Sequence, residues 1–458
     1  MAKISTPMRL LDALGLNPAV VFTLLTRAWQ AVAGAVTLVL IAYFFSPEVQ
    51  GFYYTFSSLL ALQAFVELGL YIVIVNRASH EWSKLRLDDA GAAAGDAAAL
   101  SRLGSLTRFI GRWYIVVSLL FVLGVGIAGY VFFSQSRSTN VAWEAPWATV
   151  VALAGVQLWL MPFLSLLEGC NQVVALNRFR LAQAVVESFT IWVLFVAGAE
   201  LWVVAGSLAI RILATLYFLV RRYGRFFRSI LAVRVEQRIR WREELWPMQW
   251  RLAAQLVVNS IAFSLFTPVM FYFYGAEVAG QTGMTLQFIG VVTTMAHAWV
   301  ETKVPHFGAL VVRRDYAELD RIWWQASKLS YGFAIAASLI IWLTVLVLDG
   351  LGVEFAARIL GPLPTALFLM AYGLTHVTHF QALYLRAHAR EPFLMLGVLG
   401  GLLIAVLVFV FGSTYGPTGA AASFLAVIAL LIVPMGTMIW LRRRAEWQSR
   451  QDRDARRS

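Results

Sequence analysis

The chain has 458 residues, 60% of them hydrophobic and only 14% charged, with a formal net charge of +12. A soluble domain carries roughly 25% charged residues, so this composition excludes an ordinary soluble fold and indicates a polytopic membrane protein. The positive charge lies in loops between apolar segments rather than on one basic face, which argues against a nucleic-acid partner.

Apolar segments long enough to cross the hydrocarbon recur twelve times, near 19–45, 52–75, 112–134, 147–169, 181–199, 201–220, 247–274, 278–300, 329–348, 362–385, 393–412 and 418–441. The N-terminus lacks the pattern of a cleavable signal. The loop around Asp88–Leu100, rich in Ala and Gly, is expected to be exposed. The tail Arg442–Ser458 is polar and basic, and is expected to be disordered or loosely held at anionic headgroups. Cys170 is the single cysteine, so no intrachain disulfide and no Cys-based metal cluster is expected.

The connections alternate in charge. One set contains Lys3 and Arg9, then Arg77, Lys84, Arg86, Arg102 and Arg108, then Arg178 and Arg180. It continues through the central stretch, then Lys303, Arg313, Arg314, Arg321 and Lys328, then Arg386 and Arg390. The other set holds only Arg137 and Arg358. By the positive-inside rule the first set is cytoplasmic, which places both termini on the cytoplasmic side; a cytoplasmic membrane of bacterial (inner-membrane) type is the expected location.

The central stretch Arg221–Trp246 carries eight arginines interleaved with Phe226, Phe227, Ile230, Leu231 and Val233. Part of it has the pattern of a basic amphipathic helix for a lipid surface. It divides two apolar halves, as a linker between transporter lobes would, though an ordinary cytoplasmic loop has the same charge. The expected organisation is an N-terminal lobe at 1–220, a basic linker at 221–246, a C-terminal lobe at 247–441 and a basic tail at 442–458. Glu48-Val49-Gln50-Gly51 in the first hairpin has a counterpart in Glu277-Val278-Ala279-Gly280. The offset is 229 residues, half the chain, at the same place in each half. Two six-helix lobes related by pseudo-two-fold symmetry follow, unless the match is a chance turn pattern.

Ionisable residues within spans cost about 2.5–3.5 kcal/mol each on insertion scales, so each is a functional candidate. Arg27, Arg211 and Arg251 form a cationic set, with Glu67 and Glu187 as acidic counterparts. In one reading the arginines line a cavity and bind an anionic group through the planar fork of the guanidinium. In the other, Arg27 and Arg211 make structural ion pairs with Glu67 or Glu187, and Arg251 snorkels to the headgroups. His297, His376 and His379 also fall in spans; a coupling proton site is conceivable, but hydrogen-bonded packing histidines are the commoner case. Gly124, Gly126 and Gly129, and Gly397, Gly400 and Gly401, read as close helix packing. Tyr53, Tyr54, Trp143 and Trp147 read as interfacial belt aromatics. There is no phosphate-binding P-loop, no zinc-protease helix and no serine elbow, so neither an enzyme nor a cofactor or metal site is expected.

The segments Arg27-Ala28-Trp29-Gln30, Ser46-Pro47-Glu48-Val49-Gln50-Gly51-Phe52-Tyr53-Tyr54-Thr55-Phe56, Leu62-Gln63 and Glu67-Leu68-Gly69 carry a family resemblance. With twelve spans and buried arginines, the chain resembles the multidrug/oligosaccharidyl-lipid/polysaccharide exporter superfamily, and within it the Wzx-type polysaccharide flippases. The resemblance implies a two-lobe bundle that turns an undecaprenyl-diphosphate-linked oligosaccharide across the membrane by alternating access. It implies membrane lipid and the anionic lipid-linked glycan as partners, with polysaccharide-assembly proteins as further ones. An ion-coupled small-molecule antiporter and a non-transporting subunit of a secretion machine are the alternatives; Glu67 and Glu187 keep the antiporter open, while Arg211 favours the anionic lipid-linked substrate.

Overall fold

The computed structural model describes residues 18–455 apart from 64–66, 68, 137–140, 237–239, 247–248, 250–263 and 389–392. Two compact units emerge. The first comprises Met1–Phe45, Leu59–Gln135 and Thr139–Val257; the second comprises Ser46–Ser58, Ser136–Ser138 and Val258–Ser458. The stretch 221–246 therefore groups with the first unit, and the motif-bearing segment 46–58 with the second.

The described residues are almost entirely helical, and seven helices are long and apolar enough to cross a membrane. Their outward faces carry large apolar side chains that water would not tolerate in such number, among them Ile115, Leu119, Leu123 and Ile127. This is an all-α polytopic membrane protein.

The first unit contains α1 (Pro18–Phe44), α3 (Leu70–Trp82), α4 (Ala97–Ser134), α5 (Glu144–Gly169), α6 (Val173–Val196), α7 (Trp202–Tyr217) and α8 (Tyr223–Ala232). A short antiparallel hairpin, β1 (Leu85–Leu87) with β2 (Ala93–Gly95), precedes α4, so the loop expected there has its own structure. Asp96 then caps α4, its carboxylate accepting from the Ala99 amide at 2.8 Å. This satisfies a backbone donor the helix cannot. The cap starts α4 well before the apolar run at 112, because its first turns pack on protein rather than lipid.

The basic stretch differs from a lipid-lying helix. A π-helical turn at Phe218–Arg222 leads from α7 into α8, whose apolar face, Tyr223, Phe226 and Ile230, is buried. That face covers α4: at Gly104 a β-carbon would lie 2.6 Å from the Ile230 carbonyl oxygen. Arg108 donates to the carbonyls of Leu231 and Val233 at 2.6 and 2.8 Å, meeting acceptors that the end of α8 leaves open. The amphipathic pattern was read correctly and its partner was not, since protein offered α8 the apolar surface. Below it Arg102 bridges Glu81 at 2.8 Å and Glu244 at 2.7 Å, and Arg77 also pairs with Glu244. Burial and the neighbouring Arg102 pull the Arg77 guanidinium below its usual value.

Trp143 and Trp147 are not belt residues. Both are buried, and Trp147 is only 1% exposed. Gly129 makes the notch that admits the indole: a β-carbon there would lie 2.1 Å from the ring. The indole nitrogen donates to the Gly126 carbonyl at 3.1 Å. Gly124 and Gly397 have no neighbour within 4 Å of a β-carbon, so those two glycines are not close-packing sites, whereas Gly400 meets Ile432 at 2.7 Å.

The second unit contains α2 (Pro47–Leu60), α9 (Phe266–Tyr274), α10 (Ala276–Glu301), α11 (Val304–Arg313), α12 (Tyr316–Gly350), α13 (Pro362–Ala387), α14 (Leu394–Val427) and α15 (Val433–Ala455). Gly416 (φ 63°) followed by Pro417 kinks α14 where two spans were expected to meet. The Glu48 and Glu277 motifs each open a helix, with the glutamate in the first turn, where a carboxylate complements the helix dipole. The two motifs also touch. A β-carbon at Gly51 would lie 1.8 Å from the Ala276 carbonyl oxygen, and one at Gly280 would lie 3.0 Å from the Gly51 nitrogen. Gln50 fastens the crossing, donating to the Arg358 carbonyl at 2.9 Å. Tyr54 is buried against Gly283 rather than placed at an interface.

The tail departs from expectation. It continues as helix α15 to Ala455. Trp440 stacks on Trp323 with centroids 5.1 Å apart, and Trp447 stacks on His388 at 3.7 Å. Arg444 donates to Asp320 at 3.2 Å, and Tyr384 donates to the same carboxylate at 2.8 Å. The bond to Asp320 raises the Arg444 pKa. Aromatic burial, which a count of charges overlooks, orders the tail.

Candidate functional site

The first unit carries a polar seam along α6. Its polar residues fall in two sets, Asn177, Ser188 and Trp192 turned to α1 and Gln183 and Glu187 turned to α7. Asn177 donates to the Ala19 carbonyl at 3.1 Å and to Thr23 at 2.9 Å on α1. Gln183 donates to the Arg211 carbonyl and to Thr215 on α7, both at 3.0 Å. Ser188 receives the Trp29 indole N–H at 3.2 Å, and Trp192 donates to Thr37 at 3.1 Å.

Glu187 and Arg211 meet within this seam. The arginine Nε donates to Glu187 Oε2 at 3.1 Å, and Nη2 donates to the other carboxylate oxygen, a bidentate fork. Glu187 is the more enclosed partner, 16% exposed against 40% for Arg211. A second pair, Arg180 with Glu168 at 2.8 Å, joins α6 to α5, and Tyr71 on α3 donates to the same glutamate at 3.2 Å.

Beside the seam lies a cavity of about 980 Å³ between α1, α6 and the end of α7. Phe22, Gln183 and Ala214 line its wall, Phe179 and Phe218 stack 4.2 Å apart at its side, and Arg178 and Arg222 stand on its lining. Arg211 and Glu187 are not on the lining; the link is Gln183, a lining residue that donates to the Arg211 carbonyl. Two arginines on a largely apolar, aromatic lining suit an anionic group attached to an apolar body.

The predicted residues separate. Arg211 and Glu187 are brought together. Arg27 is exposed on α1. Glu67 is half-buried and makes no ion pair among the described residues, so no Arg27–Glu67 pair forms. Its surroundings are bent, with a turn at Ala61–Leu62 and left-handed Gly69 (φ 65°). Arg251 lies outside the described residues. The sequence reading missed Arg178 and Arg222 as cavity residues, treating them only as loop charges.

In the second unit the three span histidines converge. The His297 and His379 rings stack in parallel, centroids 3.9 Å apart, and His297 meets His376 at 4.6 Å. Glu301, one turn beyond His297, reaches His379 Nε2 at 3.5 Å. The sequence reading had the histidines but not Glu301. The spacing His297/Glu301 (i, i+4) with His376/His379 (i, i+3) was the available signal.

Over most of its length the chain has the fold of the MOP superfamily transporters. It superposes on a lipid II flippase, MurJ, in an inward closed conformation with a TM-score of 0.62 and 12% identity, covering 92% of this chain and 87% of that one. It matches an inward-facing multidrug resistance MATE family transporter with a TM-score of 0.60 and 14% identity, covering 92% and 96%. It matches a MOP superfamily transporter from Pyrococcus furiosus, described as having a binding pocket of reversed polarity, with a TM-score of 0.58 and 13% identity, covering 94% and 95%. No family model and no curated protein matches the sequence.

Proposed function

We propose that the chain is a flippase that moves an undecaprenyl-diphosphate-linked oligosaccharide across the cytoplasmic membrane by alternating access. The observation that carries this reading is the first-unit cavity, with Arg178 and Arg222 on its lining and Gln183 linking that lining to Arg211, which pairs with Glu187. A diphosphate carries about two negative charges, and bare charge in hydrocarbon is very costly. Fixed guanidinium groups on a cavity lining lower that cost through charge-assisted hydrogen bonds. Arg211 holds its fork on Glu187 until an anion competes for it. Arg27 and Arg251 remain proposed members of the same cationic set. The fold shared with a lipid II flippase supports the reading. Glu67, acidic and without an ion pair among the described residues, favours ion-coupled antiport as the second reading.

The test measures export of the lipid-linked glycan and membrane protein level together for Arg27→Ala, Arg211→Ala, Arg211→Lys and the Arg178→Ala/Arg222→Ala pair. Loss of export at normal level is expected for Arg27→Ala and the Arg178→Ala/Arg222→Ala pair, and loss of export with reduced level for Arg211→Ala, partly recovered in Arg211→Lys because a point charge lacks the fork. In Arg211→Ala the stranded Glu187 also costs about 2.5–3.5 kcal/mol. Glu187→Ala added to Arg211→Ala should therefore restore protein level but not export. Full export by all four variants at normal level refutes the cationic path.

A further inference from the structure

The histidine cluster of the second unit is built as a ligand set. His376 is 2% exposed, and its Nδ1 lies 2.7 Å from the Tyr372 carbonyl oxygen. A carbonyl only accepts, so Nδ1 bears the proton and Nε2 of the neutral ring bears the lone pair. This is how a metal-binding imidazole is oriented by a backbone carbonyl. That lone pair has no hydrogen-bond partner, and the Nε2 atoms of His297 and His379 are likewise buried without one. Three such atoms in one cluster, with Phe380 edge-on to His376 and Tyr331 edge-on to Phe380, are costly for merely packed rings.

We propose that His297, Glu301 and His379, with His376 as the fourth donor, bind a divalent transition-metal cation of the Zn²⁺ type. Ligand atoms of His297, Glu301 and His379 all lie within 4.8 Å of one another. Tetrahedral coordination with bonds of about 2.0–2.2 Å sets donors about 3.4 Å apart. The His379–Glu301 separation of 3.5 Å already meets that distance. One carboxylate and three imidazoles suit zinc, cobalt or nickel, whereas magnesium and calcium require oxygen ligands. One cation would satisfy the unpartnered Nε2 of His297 and replace the His379–Glu301 contact with coordination bonds, and His376, whose ring lies 4.6 Å from that of His297, would turn in to complete the set. The cation would tie α10 to α13 near the ends that carry Lys303 and Arg386. This site does not rest on the flippase reading, since it lies in the other unit and uses none of the same residues.

The experiment uses full-length protein purified in detergent through a tag without histidine, stripped with chelator and titrated with Co²⁺ and Zn²⁺. One Co²⁺ per chain is expected, with the strong visible bands of low-coordinate geometry, displaced by Zn²⁺. His297→Gln and His379→Gln should weaken binding 100-fold or more, and His376→Gln about 10- to 100-fold. His80→Gln and His306→Gln, at exposed positions, should leave binding unchanged. Zn²⁺ should raise the melting temperature of the wild type and not that of His379→Gln. If a variant does not fold, the wild-type titration decides alone. No stoichiometric Co²⁺ at micromolar concentration, or binding that persists in His297→Gln/His379→Gln, overturns the proposal.

Discussion

Replacing Gly51 with alanine places one methyl group against backbone. Its carbon would lie 1.8 Å from the Ala276 carbonyl oxygen, 2.4 Å from the carbonyl carbon and 2.8 Å from the Cα, where ordinary contact begins at 3.4 Å. The helices must therefore part by roughly 1.5 Å, and no flexible side chain can absorb the shift. Overpacking of this kind costs about 1–3 kcal/mol or more. Alanine is otherwise the better helix former by about 1 kcal/mol. Gly290 isolates that second effect, because it lies inside α10 and a β-carbon there meets nothing within 4 Å. Gly290→Ala is expected to match or exceed wild-type thermal stability in detergent, and Gly51→Ala to fall clearly below it. Fluorescence-detected size exclusion after heating reads both. If Gly51→Ala melts at or above the wild-type temperature, the close crossing of α2 and α10 is wrong.

A reporter fused after Arg234 should report the cytoplasm and one fused at Ser138 the opposite side; the same side for both refutes the twelve-span topology. Arg444→Ala leaves Asp320, whose side chain is 15% exposed, without its paired cation though still bonded to Tyr384, and should cost about 1–3 kcal/mol in melting experiments. Trp440→Ala, which opens the stack on Trp323, should cost about 3–5 kcal/mol. An unchanged melting temperature in both tail variants would mean that α15 is not fastened to its unit.

Hydropathy made the spans legible because lipid-facing helices must be apolar along their length, whatever their neighbours. The kink at Gly416-Pro417 was equally legible, since proline ends a helical ladder wherever it falls. Partners were harder. Nothing in Phe226 or Ile230 tells whether the apolar face of α8 meets lipid or α4, because both are apolar surfaces. Trp147 resembled a belt aromatic until Gly129 supplied a notch 18 residues earlier in the chain. The Arg211–Glu187 pair was one of two stated outcomes; the choice depended on the rotation of α6 relative to α7, which periodicity does not encode. The histidines were visible singly, but their meeting depends on α10 packing against α13.

The clasp around Trp323 has a consequence for biosynthesis. Trp440, Arg444 and Trp447 are made after the helices they fasten. While the chain is being synthesised, Trp323, Tyr384 and Asp320 stand at the ends of α12 and α13 without their partners. The second unit then has an open end that only α15 closes, whereas the first unit draws its helices from chain already made. Assembly of the nascent protein should accordingly be sequential, the first unit settling before the second is sealed. A chain cut before Trp440 would leave an aromatic, acid-bearing surface of the kind that membrane quality control removes.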